Sequence, residues 1–123
     1  MPNTIGPNAI VRFGVNPPAV EEGSPNAVIS GAPKTRLQNY FTDSSGQFFS
    51  GIWESTIGKW PVSYSESEFC AILDGKCVLT DQAGKAETFV KGESFVIPSG
   101  FAGTWETVEP VRKLYAIFEA KKS

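Results

Sequence analysis

An antiparallel all-β sandwich or barrel is the fold class this sequence predicts, on three observations. Turn signals built from Gly, Pro, Asn, Asp and Ser recur every eight to twelve residues along most of the chain. The runs between them are short, apolar and rich in β-branched and aromatic side chains, as in Phe48-Phe49-Ser50-Gly51-Ile52-Trp53. No window of helical period survives the 12 glycines and 9 prolines.

The elements follow in order. Six of the nine prolines fall within the first 35 residues, so 1–46 reads as an extended N-terminal arm packed on the barrel. Short strands are expected in it at 9–13 and 27–29. Asp43-Ser44-Ser45-Gly46 is a turn cluster that opens the body at 47–123, the whole forming one structural domain. A strand over 47–56 breaks at Ile57-Gly58-Lys59. A strand over 68–73 runs into Asp74-Gly75, the dipeptide of a tight two-residue hairpin, and returns over 76–81. Strands at 86–90 and 94–97 flank the turn Lys91-Gly92-Glu93. Pro98-Ser99-Gly100 forces a corner before a strand over 103–108. Glu109-Pro110 ends that strand, and 111–120 is the last.

Composition excludes several classes of function. Hydrophobic residues make up 41% and charged residues 20%, and the net charge of −2 is spread without blocks. No basic stripe suits a phosphate backbone, so no nucleic acid is expected. No apolar run is long enough to span a bilayer, and MPNTIGPNAI has neither the charged nor the apolar region of a secretory signal. Cytoplasmic location is the expectation. Cys70 and Cys77, the only cysteines, would be diagonal neighbours across an Asp74-Gly75 hairpin, too far apart for an undistorted disulfide. They read as two buried free thiols in a reducing compartment.

The chain contains no histidine, which removes every Ser-His or Cys-His nucleophile pair, and no Gly-rich phosphate loop is present. Strand alternation puts Glu66, Glu68, Cys70 and Ile72 on one face, with Phe69, Ala71 and Leu73 opposite, against a second sheet or a subunit. Alternation likewise groups Gly103, Trp105 and Thr107. A buried Glu68 needs a partner, for which Tyr64, Lys59 and Arg112 are the candidates. Glu106 would face outward toward Arg112 or Lys113. The plainer reading leaves Glu66 in solvent, has Cys70 fill space and makes Trp53, Trp60 and Trp105 core or interface residues.

Two stretches together resemble the cupin signature. Glu68 followed by six residues and Gly75 is similar to the end of the first cupin motif, and Gly92-Glu93-Ser94-Phe95-Val96-Ile97-Pro98-Ser99-Gly100 to the second. Gly51-Ile52-Trp53-Glu54, Glu68-Phe69-Cys70 and Gly103-Thr104-Trp105-Glu106 resemble the small single-domain cupins related to the ureidoglycine aminohydrolase cupin domain and the ethanolamine-utilisation cupins. The resemblance implies a cupin-type double-stranded β-helix, or jelly-roll barrel, with an internal ligand cavity and assembly as a homodimer. It also implies where metal ligands would stand. The first-motif histidines fall in 61–64, with Tyr64 or Ser63 at the second position, and the second-motif histidine falls at Gly103. Glu68 is the one family ligand retained, so neither a bound metal nor another cofactor is expected.

Three functions compete on this reading. The first is a metal-independent binding module for a small polar or carbohydrate-like molecule, with Glu68, Trp105, Tyr64, Cys70, Trp53 and Glu66 as ligand contacts. The second is a carboxylate- and tyrosine-based enzyme, aminohydrolase-like on a small ureido, amino or acyl substrate, with Glu68 and Tyr64 as catalytic groups. The third is an interaction protein with a filled barrel and an apolar outer face.

Overall fold

A computed structural model describes residues 9–121. Residues 1–8 of the stretch read for a targeting signal, and the last two residues, lie outside that range. The described residues form nine strands in antiparallel register and no helix: β1 (Glu21–Gly23), β2 (Ser30–Gly31), β3 (Thr35–Thr42), β4 (Phe48–Ser55), β5 (Gly58–Ser63), β6 (Ser67–Asp81), β7 (Ala86–Val90), β8 (Ser94–Ile97) and β9 (Ala102–Phe118).

Two long strands make the barrel. The first half of β6 pairs with the last half of β9, and the last half of β6 with the first half of β9. At one end this ladder continues through β4, β3 and β1 on one side and β8 on the other. At the other end it continues through β5 and β2 on one side and β7 on the other. Two sheets thus share their central strands and close over one core. Cys70, Ile72 and Ile97 enter it from the first sheet, and Trp60, Leu79 and Trp105 from the second.

The hairpin expected at Asp74-Gly75 does not form, and Glu109-Pro110 does not end a strand. The chain runs straight through both, with register shifts at Ile72/Asp74, Asp74/Lys76 and Lys76/Cys77. These irregularities bend β6 and β9 together from one sheet into the other. Gly75 has φ +91°, and a Cβ there would lie 2.0 Å from the Pro110 carbonyl oxygen. The glycine that a tight turn would need is instead needed for close approach of two bent backbones.

Three other expectations are corrected. Residues 9–13 and 27–29 are not strands; the N-terminal pairings are β1, β2 and the eight-residue β3. The break expected at Ile57-Gly58-Lys59 is shorter and earlier, at Thr56-Ile57, because β5 begins at Gly58 and continues through Pro61. The two cysteines are not diagonal neighbours on a hairpin, since Cys70 lies opposite Tyr115 and Cys77 opposite Thr107 on β9. Both are buried free thiols.

Candidate ligand site

Opposite residues in an antiparallel pair project from the same face, so the register fixes which side chains meet. On the inner face of the first sheet one row runs Glu21, Leu37, Trp53, Lys113, Ile72. The next inner row carries Asn39, Gly51, Tyr115, Cys70 and Phe95. The row after that includes Phe49, Ile117 and Glu68. From the second sheet, Trp60 and Trp105 stand opposite one another.

At the centre is a buried ion pair. Lys113 is 4% exposed and Glu68 6%. The Lys113 ammonium donates to Glu68 Oε2 at 2.9 Å and to Cys70 Sγ at 3.2 Å. Its Nζ also lies 4.8 Å from the centroid of the Trp53 ring and 4.6 Å from that of Trp105. The two indoles meet edge to face at 5.3 Å, and Trp60 stacks near Trp105 at 6.4 Å. Removing an ammonium and a carboxylate from water costs several kcal/mol per ion. Direct contact, the thiol and two π faces, the last worth about 0.5–2 kcal/mol each, offset that cost.

Burial alone would push the Lys113 ammonium toward losing its proton. The Cys70 sulfur and the Tyr64 oxygen, which gain negative charge only at high pH, together with the Glu68 carboxylate outweigh burial and hold it protonated above the usual lysine range. Burial pushes the Cys70 thiol up to about 12 despite the nearby ammonium, so at neutral pH it is a thiol. Tyr64 is raised first by burial, with Glu68 adding and Lys113 opposing. Tyr115 is also raised by burial, and its hydroxyl donates to Asn39 Oδ1 at 2.7 Å. Trp105 Nε1 donates to Thr107 Oγ1 at 2.9 Å, and that hydroxyl shares a short hydrogen bond with Ser55. Among the described residues no buried side-chain nitrogen or oxygen lacks a hydrogen-bond partner.

Above this floor opens a cavity of about 820 Å³. Of the six residues expected to touch ligand, Glu68, Trp105, Tyr64, Trp53 and Glu66 border it, and Cys70 lies behind them against Lys113. Glu66 precedes β6 yet reaches the cavity wall rather than pointing away from it. The partner of Glu68 is none of the three expected residues. Arg112 faces outward, 3.7 Å from Glu54, while Lys113 turns inward.

Lys113 and Tyr115 are the site residues that sequence reading missed. The signal was alternation along Val111-Arg112-Lys113-Leu114-Tyr115-Ala116-Ile117. Lys113 falls between Val111 and Tyr115, both buried, while Arg112 is exposed.

The donors do not fit the metal that the fold suggests. Gly103 stands where the second histidine motif would place a ligand, and a Cβ there would lie 1.9 Å from the Thr80 carbonyl oxygen. Among the described residues no group of three or more Cys, Asp or Glu side chains converges. One Glu68 oxygen, Oε2, is already bound to an ammonium, whose positive charge opposes a cation at the same carboxylate.

Comparison with known proteins agrees with this architecture. The model of the EutQ-like cupin domain matches residues 42–115. A DUF861 family protein from Thermotoga maritima is 38% identical over 52% of this chain and 73% of its own, with a TM-score of 0.51. A DUF861 protein of unknown function from Pseudomonas syringae pv. tomato is 25% identical over 89% of this chain but 45% of its own, with a TM-score of 0.69. The Clostridium difficile EutQ protein superposes with a TM-score of 0.65 at 19% identity, over 73% of this chain and 71% of its own, a likeness of fold. No curated protein matches the chain.

Proposed function

The chain belongs to the EutQ-like cupin domain family, and on that premise we propose that it is a small-molecule-binding cupin that works without a metal ion. The observation that carries this reading is the cavity of about 820 Å³ set over the Glu68–Lys113 pair. Its volume lies in the range of small-molecule sites, and its walls combine aromatic rings with a few fixed polar groups. Lys113 supplies beside Glu68 the positive charge that a metal would otherwise bring.

The arrangement favours binding over catalysis. A general base needs a carboxylate free to accept a proton, and Glu68 is engaged by an ammonium. A nucleophilic cysteine needs a thiolate, and Cys70 is pushed up to about 12. The two buried free thiols suit a reducing compartment, and we place the protein in the cytoplasm. Among the described residues no helix is long and apolar enough to cross a membrane.

A homodimer is part of the proposal. The outer face of the first sheet carries the row Phe41, Ser50, Ala116, Phe69, Val96 beside Phe48 and Phe118. Phe69 is 46% exposed, Phe118 51% and Val96 61%. These two rows hold no charged side chain, so a second copy meets them without like-charge repulsion.

The binding reading is tested by intrinsic fluorescence, because Trp53, Trp60 and Trp105 all border the cavity. Cationic, anionic, neutral and sugar-like compounds are titrated in turn. Saturable quenching by one class at one molecule per chain supports the reading. Absence of a saturable response to every class up to millimolar concentration overturns it.

A further inference from the structure

We infer that the ligand of this cavity is a small organic cation, an amine or quaternary ammonium compound. This rests on the binding reading above and narrows it to one chemical class. Four charged side chains border the cavity: Glu21, Glu66, Glu68 and Lys113. Three carboxylates against one ammonium leave a net charge of −2 on the lining. The single positive charge is not offered to a ligand, because Lys113 is bonded to Glu68 and covered by two indole faces. Among the described residues the other ion pairs are Arg36–Glu22 and Arg112–Glu54, and neither includes Glu21 or Glu66.

Position strengthens the charge count. Glu21 stands in the same inner row as Trp53 and Lys113, at the sheet edge. Glu66 lies two residues before Glu68, beside Tyr64. The two carboxylates approach the cavity from different elements. Burial raises the tyrosine hydroxyls first, but the field of Glu66 contributes at Tyr64 and that of Glu21 at Tyr115. The same cavity is walled by the aromatic rings of Phe49, Trp60 and Tyr64. A cation entering there meets negative ring faces and two unneutralised carboxylates in a partly desolvated space. An anion would meet the same carboxylates as repulsion. A neutral sugar could stack on the rings but would gain nothing from their charge. The protein's own Lys113, held between Trp53 and Trp105 against Glu68, is an ammonium bound by this same chemistry one layer deeper.

The test is a fluorescence titration at low ionic strength and neutral pH with choline, methylammonium and guanidinium. Two controls share the shape of choline: 3,3-dimethylbutan-1-ol, which is neutral, and 3,3-dimethylbutyrate, which is anionic. The expected result is saturable binding of at least one cation, at least about tenfold tighter than either control. Glu21→Gln and Glu66→Gln, both outside the core, each weaken the cation at least about threefold and leave the neutral compound unchanged. Equal or tighter binding of the neutral or anionic control overturns the cation assignment while leaving a ligand cavity in place. No saturable response to any of the three cations also overturns it, and the other compound classes then decide separately whether the cavity binds anything.

Discussion

Replacing Lys113 by Met isolates the ion pair at the floor of the barrel. Methionine nearly preserves the volume and the apolar stem, so the change removes the charge and little packing. Glu68 is then a carboxylate 6% exposed with no counter-ion, and Cys70 loses its donor. Breaking a buried pair from one side costs about 3–5 kcal/mol. For a domain of 123 residues this lowers Tm by roughly 10–30 °C, at ~3–6 °C per kcal/mol. The double variant Lys113→Met/Glu68→Gln recovers most of the loss. Urea unfolding of the four proteins in this cycle gives the coupling directly, expected at about 2–3 kcal/mol. A loss below about 1 kcal/mol in the single variant, or a coupling near zero, refutes the reasoning that these charges depend on one another.

Three further outcomes are expected. Gly75→Ala forces a side chain into the β6–β9 crossing at positive φ, so it costs more than about 2 kcal/mol in urea unfolding and lowers soluble yield. The Cys70 thiol has a folded pKa raised from 9.0 to about 12, so the folded state retains a proton that the unfolded chain releases. Its contribution to stability is full below pH 9.0 and is lost as pH rises toward about 12; stability curves across that window, and slow reaction of the native thiols with a disulfide reagent, check the sign. Phe69→Lys, on the exposed row with Val96, converts the proposed dimer to monomer in sedimentation analysis without changing the far-ultraviolet spectrum, and an unchanged mass removes this face as the interface.

Period-two patterns and turn residues were enough to read an all-β sandwich or barrel, because alternation and glycine placement are local signals; the cupin type came from the resemblance of the two motifs. The same local signals misread Asp74-Gly75 as a turn. Only the crossing strand, through Pro110, shows that the glycine is there to admit a backbone. Strand β5 was hidden by Gly58 and Pro61, which read as punctuation but pair along β9. That Glu68, Trp105, Tyr64, Trp53 and Glu66 border one cavity was legible from alternation and motif resemblance, whereas Glu21 and Phe49 were not. Lys113 was not, because a lone lysine in a sequence is taken for a solvated group unless its neighbours two residues away are weighed with it. What buries it is the pairing of Trp53 with Lys113 across β4 and β9, a long-range register.

The most direct measurement is the metal content of the purified protein, read by mass spectrometry after exposure to manganese, iron and zinc salts and gel filtration. With the Lys113 ammonium bound to Glu68, less than a tenth of an equivalent of any metal is expected, on the order of adventitious binding to one carboxylate. One equivalent retained per chain, lost on Glu68→Gln, would contradict the assignment of Lys113 as the cation of this barrel.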